Sequence, residues 1–379
     1  MTSKNGSSTN GYSPNTLASR TGGDVVCDAI LEAGVDVVFG MPGGASLPFY
    51  DALYRYQDRL RHVQIRHEQA AGFAANGYAR ATGKVGVATS TSGPGATNMV
   101  TCMANDMMDS VGVVYITGQV ARPVIGSDAF QETDITGISI PITKHSYLVL
   151  DVDDLPRVMK EAFHLAASGR PGPVHVDIPK DIFLESTTEV APRDLNLRGY
   201  QPPKVGNRTM VRRAADVINA SERPVIMAGH GIDISGASDE LFELATCGNI
   251  PVVSTLHGVG TFPETHPLSF GMLGMHGLAY ANFAMGQTDC IIGLGTRFDD
   301  RAVGKADEFG PDAKVVHIDV DPAEIGKVLQ TDVPIVGDLK MTLEHLLPLI
   351  ERRERVAWID QLNHWRDEHR SLDIPESPD

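Results

Sequence analysis

Between Leu17 and about Pro192 short, continuously apolar runs alternate with stretches of helical periodicity. The runs are Asp36-Val-Val-Phe39, Val85-Gly-Val-Ala88, Val111-Gly-Val-Val-Tyr-Ile116 and Pro173-Val-His-Val-Asp-Ile178. A strand that is apolar on both faces needs cover on both, so runs of this kind between helices predict a parallel sheet flanked by helices. The stretch from Ala191 to Gly206, with Gly199-Tyr-Gln-Pro-Pro-Lys204 inside it, is Pro-rich and aperiodic and reads as a linker. A second alternation begins at Met210, with strand candidates Pro224-Val-Ile-Met-Ala228, Pro251-Val-Val-Ser254, Asp289-Cys-Ile-Ile-Gly-Leu294, Lys314-Val-Val-His-Ile318 and Val333-Pro-Ile-Val336. The fold class is therefore α/β, two doubly wound domains at 16–190 and 207–350 joined by a linker at 191–206. Residues 1–15, rich in Ser, Asn, Gly and Thr, predict a disordered tail. Residues 351–379 predict a polar helix that sets Trp358, Leu362 and Trp365 at i, i+4 and i+7. Its tryptophans are expected to be exposed and to want a partner surface.

A chain of 379 residues with 42% hydrophobic and 21% charged positions fills more than one core, which agrees with two domains. Lys and Arg number 32 against 48 Asp and Glu, and the net charge of −16 excludes binding to nucleic acid or to an anionic membrane through bulk electrostatics. Cys27, Cys102, Cys247 and Cys290 stand singly among apolar residues with no zinc spacing, which predicts buried free thiols. No apolar run reaches the roughly 18 to 20 residues that span a bilayer, and the expected location is cytoplasmic.

In open parallel sheets, ligands bind beyond the carboxyl ends of strands, so the loops that follow the apolar runs are where chemistry is expected. Gly40-Met-Pro-Gly-Gly-Ala45 follows the first run; its glycines either let backbone N–H groups approach a ligand or simply make a tight turn. Gln64-Ile-Arg-His-Glu-Gln69 delivers Glu68 to a strand-to-helix junction, ahead of the small-residue helix Ala70-Ala-Gly-Phe-Ala-Ala-Asn-Gly-Tyr-Ala79. There Glu68 is either a functional carboxylate or a solvated or N-capping one. Thr89-Ser-Thr-Ser-Gly-Pro-Gly-Ala-Thr-Asn98 is rich in donors and a candidate phosphate cradle, but it lacks the Gly-Lys-Ser/Thr ending of a nucleotide P-loop.

These three loops, in this order and spacing, resemble the pyrimidine-binding domain of thiamine-diphosphate enzymes. The resemblance implies that Glu68 hydrogen-bonds N1′ of the cofactor's aminopyrimidine and favours the imino tautomer, whose exocyclic nitrogen then removes the thiazolium C2 proton. Gly118-Gln-Val120, Asp128-Ala-Phe-Gln-Glu132, Thr143-Lys-His145, Ser168-Gly-Arg-Pro-Gly-Pro173 and Asp177-Ile-Pro-Lys-Asp181 narrow it to the acetolactate synthase family, over about Thr16 to Leu347. That family implies that Phe130 and Gln131 line the active site, that Lys180 approaches the substrate entrance, and that Gly44 and Ala45 lie over the reacting centre. It further implies pyruvate and 2-oxobutanoate as substrates, a homo-oligomer, and a small regulatory subunit.

The second domain resembles the central domain of the same enzymes, which in this branch carries FAD. The matching segments are Ser254-Thr-Leu256, Gly271-Met-Leu-Gly-Met-His-Gly277, Gly295-Thr-Arg-Phe-Asp-Asp-Arg301, His317-Ile-Asp-Val-Asp321 and Gly337-Asp-Leu339. By that resemblance Arg170, Thr255, Leu256, Leu273, Gly274, Met275, His276, Gly295, Thr296, Arg297, Phe298, Asp299, Asp319, Val320, Asp338 and Leu339 contact the flavin nucleotide, with Asp300 and Arg301 near an inhibitor channel. Ala121, Pro123 and His257 depart from the family's usual residues around that channel.

The sequence contains no Gly-Asp-Gly, the run by which the family holds the cofactor's diphosphate through Mg2+. The expectation is that a third, diphosphate-binding domain carries the metal ligands, that 351–379 connects to it, and that these residues alone do not catalyse carboligation. The alternatives are another thiamine-diphosphate and FAD enzyme, of the pyruvate oxidase or glyoxylate carboligase type, and a non-catalytic FAD-binding paralogue.

Overall fold

The structure, a computed structural model, describes residues 19–369, so the tail predicted at 1–15 and the last ten residues lie outside the described part. The chain divides into two compact units, Met1–Asn196 and Leu197–Asp379. The strands in chain order are β1 (Arg20–Thr21), β2 (Val37–Gly40), β3 (Arg61–Gln64), β4 (Gly86–Ser90), β5 (Val113–Gln119), β6 (His145–Leu148), β7 (Val174–Pro179) and β8 (Ser186–Thr187) in the first unit. The second unit holds β9 (Pro224–Ala228), β10 (Val252–Ser254), β11 (Ser269–Met272), β12 (Cys290–Leu294), β13 (Lys314–Asp319) and β14 (Val333–Val336).

In the first unit a six-stranded sheet runs in the order β3-β2-β4-β5-β7-β6, and every pair in it is parallel. The short antiparallel pair β1 and β8 brings the two ends of this unit together. The chain runs outward from β2 to β3 and then returns to lay β4 on the other side of β2. The carboxyl ends of β2 and β4 therefore flank the point where the winding reverses, and a crevice opens there. The small residues Ala71, Ala75 and Ala79 let the helix Glu68–Thr82 lie close on this sheet, against Ala88, Met103 and Tyr115.

The second sheet has the order β11-β10-β9-β12-β13-β14, again all parallel. Relative to its own first strand this is the 3-2-1-4-5-6 winding of dinucleotide-binding folds. Alternation along the strands sorts the core into two layers. Ile226, Ala228, Ile292, Leu294, Val316 and Ile318 face one set of helices, while Val225, Met227, Ile291 and Val315 face the other. Both faces are covered, as the continuous apolar runs require.

Three strands of the two six-stranded sheets are absent from the apolar-run reading, β3, β6 and β11, and all are edge strands whose residues are half-exposed or mixed, Arg-His-Val-Gln, His-Ser-Tyr-Leu and Ser-Phe-Gly-Met. One expectation is overturned outright. The tryptophans of the helix Val356–Glu368 are not exposed: Trp358 and Leu362 are buried and Trp365 packs against the same core of the second unit. The spacing i, i+4, i+7 makes one apolar stripe, and the second unit's own helix Ala279–Gln287 supplies its partner surface. Three of the free cysteines are buried as expected and Cys247 is half-buried. Among the described residues no helix is long and apolar enough to cross a membrane.

Candidate active site

Glu68 opens the helix Glu68–Thr82 but does not cap it. The cap is His67, whose Nδ1 accepts the Gln69 N–H at 3.3 Å. Nor is Glu68 solvated, since it is only 5% exposed. With both ordinary roles removed, what remains is a buried carboxylate facing the crevice loops. Asn98 Nδ2 donates to its Oε2 at 2.9 Å. Oε1 lies over Gly95, where an added Cβ would approach it to 3.2 Å. A buried carboxylate held at one oxygen and unbonded at the other among the described residues is an acceptor for an N–H of a bound ring.

The neighbouring loops are locked around this carboxylate. Thr91 Oγ1 accepts the Ala45 N–H at 3.1 Å, which ties the Gly40–Ala45 loop to the loop after β4. The end of β5 presses on the same turn, since a Cβ at Gly118 would come within 2.9 Å of the Ala45 carbonyl carbon. Gly93, with φ of +54°, leaves room for the backbone of Gln131: any side chain there would meet the Gln131 carbonyl oxygen at 2.4 Å. The structure thus brings Gly44, Ala45, Glu68 and Gln131 to one crevice. Gln131 itself has φ of +59°, and its neighbour Phe130 is 87% exposed. Lys180 is exposed at the carboxyl end of β7, on the same edge of the sheet.

Thr91 and Asn98 were not recognised as site residues. They belong to the Ser/Thr/Gly run expected to cradle phosphate, but here they serve to fix Ala45 and Glu68. The helix carrying Glu68 is anchored from below by a buried network that no local pattern announces. Asn76 Nδ2 and Tyr115 Oη each donate to Asp106 at 2.6 Å, and Arg80 Nε donates to Asn76 Oδ1 at 2.9 Å. Burial raises the Asp106 carboxyl from 3.8 to about 6, against the opposing hydrogen bonds from Tyr115 and Asn76. An acid raised in the folded state stabilises the fold below its unfolded value and loses that contribution as pH rises through its folded one. We expect wild-type stability to fall by roughly 3 kcal/mol from this group between about pH 4 and pH 7. Urea titrations at the two pH values, compared with Asp106→Asn, check this: the variant should show the shallower fall.

In the second unit, the residues assigned to the flavin by resemblance lie along the carboxyl edge of one sheet. Thr255 and Leu256 follow β10, Leu273 to His276 follow β11, Gly295 to Asp299 follow β12, Asp319 ends β13 and Val320 follows it, and Asp338 and Leu339 follow β14. At the winding switch between β9 and β12 the backbones touch. Gly231 N donates to Gly295 O at 3.1 Å, and a Cβ at Gly229 would sit 2.1 Å from the same oxygen. Glycines stand here because the two backbones pack directly on one another. Between the loop after β11, the helix Ala279–Gln287 and residues 300–309 lies a cavity of about 440 Å³ lined by Gly274, Met275, Asn282, Arg301, Lys305 and Phe309.

Several assigned side chains face away from that edge. Leu273, Phe298 and Leu339 are buried in the core, so a ligand would meet their backbone. Asp299 and Asp338 are helix caps, accepting from Arg301 N at 3.0 Å and Met341 N at 3.0 Å. Asp319 Oδ1 accepts from Asp321 N at 2.9 Å. Arg170 belongs to the first unit, at the amino-terminal edge of its sheet, where Nε donates to Ser110 Oγ at 2.8 Å.

Residues 20–138 match the family model described as the thiamine pyrophosphate enzyme N-terminal TPP binding domain, and residues 211–346 match the thiamine pyrophosphate enzyme central domain. The chain belongs to the thiamine pyrophosphate enzyme family. Within that family it is 52% identical over 349 residues to the acetolactate synthase large subunit of Mycobacterium tuberculosis, a match covering 92% of this chain and 56% of that protein. It is 47% identical over 363 residues to the acetolactate synthase large subunit of Corynebacterium glutamicum, covering 92% of this chain and 58% of the relative. The corresponding subunit of Parasynechococcus marenigrum is 48% identical over 373 residues, covering 96% and 60%. The chain thus spans somewhat more than half the length of these relatives, and the two thiamine pyrophosphate enzyme domains correspond to its two units.

Proposed function

We propose that this chain supplies the pyrimidine-binding and FAD-binding parts of an acetolactate synthase large subunit, which decarboxylates pyruvate and joins the two-carbon unit to pyruvate or 2-oxobutanoate. The observation that carries the reading is Glu68, buried at the winding switch with one oxygen held by Asn98 and the other open. Thiamine diphosphate, when bound, supplies the electron sink for loss of CO2 from a 2-oxo acid. Glu68 would accept the N1′ hydrogen bond, and its burial sharpens that interaction. Gly44 and Ala45 would let backbone approach the reacting centre. Gln131 and Phe130 would border the substrate, and the Lys180 ammonium would draw the substrate carboxylate in.

FAD would lie along the carboxyl edge of the second sheet. In this reading the glycine loops at its switch would border the pyrophosphate, and Asp319, which accepts from Asp321 N through one oxygen, would turn the other toward the ribose hydroxyls. The cofactor's diphosphate and Mg2+ would be held by a segment outside these residues. That the relatives are named large subunits supports a smaller regulatory partner; a homo-oligomer in the cytoplasm is part of the same proposal.

The test is acetolactate formation from pyruvate with thiamine diphosphate, Mg2+ and FAD, comparing these 379 residues with the same residues joined to their downstream coding sequence. Activity is expected in the joined form and none above background in the shorter one. FAD bound by both with activity in neither would overturn the catalytic reading in favour of a non-catalytic flavin-binding paralogue.

A further inference from the structure

Beneath the Phe130 and Gln131 loop runs a row of buried polar groups that the proposed chemistry does not use. β5 and β7 are paired with Thr117 opposite Asp177. Thr117 Oγ1 lies 2.6 Å from Asp177 Oδ1 and 2.7 Å from His175 Nε2. His175 Nδ1 lies 3.0 Å from Ser139 Oγ, which is 2.8 Å from Ser146 Oγ. Gln119 Nε2 donates to Asp177 Oδ2 at 2.9 Å and to the Thr133 carbonyl at 3.1 Å, while its Oε1 accepts Val120 N at 2.9 Å. Thr117, Ser139 and His175 are fully buried and Asp177 is 1% exposed.

Counting hydrogens fixes the direction of the bonds from Asp177 through His175 to Ser139, whose hydroxyl can donate to the Thr136 carbonyl, 3.1 Å away, only when it is not donating to His175. The Thr117 hydroxyl has one hydrogen. When Asp177 is ionised it can only accept, so that hydrogen points to Oδ1, His175 must donate from Nε2, and Ser139 must donate to the bare Nδ1. When Asp177 carries a proton on Oδ1 it donates to Thr117, Thr117 donates to His175 Nε2, and the imidazole carries its hydrogen on Nδ1 and donates to Ser139. One proton arriving at Nδ1 from the Ser139 side, with the Nε2 hydrogen passing to Thr117 and the Thr117 hydrogen to Asp177, converts the first state into the second. The bonds linking Asp177, Thr117, His175 and Ser139 are all kept, the Ser139 hydroxyl is freed to donate to the Thr136 carbonyl in the second state, and the imidazole stays neutral throughout.

The two ends of the row are attached to the loop. Gln119 holds the carbonyl of Thr133, two residues past Gln131, and Ser139 ends the helix Ile135–Ser139 into which the loop leads. The hydrogen bond from Gln119 to Asp177 is charge-assisted only when Asp177 is ionised, and bonds of that kind are roughly twice as strong as neutral ones. We propose that the Asp177-Thr117-His175-Ser139 row is a proton-linked wire whose direction sets how firmly the Phe130 and Gln131 loop is held, with Gln119 and Asp177 as positioning residues. Burial pushes Asp177 up to about 7 and holds His175 down to about 3, so the titrating member in the neutral range is the carboxyl. The groups facing the row are neutral: Thr117 and Gln119 on β5, Ser146 on β6 and Ser139 on the helix. Asp134, the cap of that helix, is the charged group whose field reaches Asp177, and it favours the protonated form.

The experiment is nitrogen-15 NMR of the histidine-labelled 379-residue chain, with His175 assigned by its loss in His175→Gln, alongside hydrogen exchange of residues 126–134. His175 is expected to carry its hydrogen on Nε2 at roughly pH 9 and on Nδ1 at roughly pH 5, with the loop amides exchanging several-fold less often, once corrected for intrinsic rate, in the high-pH state. Asp177→Asn, whose amide donates to Thr117 as the protonated acid does, should hold the Nδ1 form at both pH values. A native chain with one tautomer across the range overturns the wire even if the variant fails to fold. A tautomer change without any change in loop protection overturns the positioning role. Only the meaning of Phe130 and Gln131 rests on the proposed carboligase; an inactive joined enzyme would sink that reading and leave the His175 result standing.

Discussion

Replacing Glu68 by Gln in the joined enzyme is expected to lower kcat for acetolactate formation by about 10²- to 10³-fold, with thermal stability little changed. The amide has the shape of the carboxylate. Its oxygen can keep the 2.9 Å bond from Asn98, which turns the NH2 toward the open side of the site, where an acceptor is needed. A donor facing a ring N–H neither accepts that hydrogen nor stabilises its charge, so the loss falls on the chemical step more than on folding. Glu68→Asp keeps the charge but withdraws it by one methylene, and an intermediate loss is expected. Initial rates at saturating cofactor decide the matter. A wild-type kcat in Glu68→Gln would remove the carboxylate from the mechanism, and a rise confined to the cofactor's KM would make it a binding residue only.

What the sequence made legible was whatever repeats along the chain. Parallel strands buried on both faces announce themselves as apolar runs, so β9 appears with the bounds predicted and the other central strands shift by one to three residues, while the edge strand β14 appears through its apolar Val-Pro-Ile-Val composition. The edge strands β3, β6 and β11 do not, because an edge strand can be half-exposed and its composition is free. The same limit applies at the site. Glu68 was visible through its position between a strand and a small-residue helix. Its burial and its partner Asn98 were not, since they depend on two loops separated by 30 residues meeting across the sheet. The row from Asp177 to Ser139 was wholly hidden: its members are scattered over two strands and a helix, and only the register of β5 against β7 makes them neighbours. Resemblance names Gln131 and the proposed flavin residues as expectations, at positions that pattern alone does not give.

The helix Val356–Glu368 shows how an error of that kind matters in practice, and Trp358→Ala is expected to cost the second unit about 3–5 kcal/mol. Trp358 is 4% exposed, and its indole N–H donates to the carbonyl of Pro224, the first residue of β9, at 3.1 Å. Its ring meets Trp365 edge-on at 6.1 Å, and Leu362 beside it is fully buried. The turn into this helix is fixed too: Arg355, with φ of +43°, sends its guanidinium to the carbonyls of Ile218, Ser221 and Gly248. Truncating the indole therefore opens a cavity against β9 and leaves a strand-end carbonyl without its donor. Trp358→Phe fills most of the cavity but not the hydrogen bond, and should cost about 1 kcal/mol beyond the lost volume. Urea unfolding followed by circular dichroism separates the cases, because Trp365→Ala, half-buried at the outer edge of the same stripe, should cost the least of the three. If Trp358→Ala proved as stable as the parent, this helix would be an appendage. If the loss is as large as expected, the helix is part of the second unit, and any truncation ending near residue 350 would bare the core it covers and lose the proposed FAD binding for a reason unrelated to the carboxyl edge of the sheet.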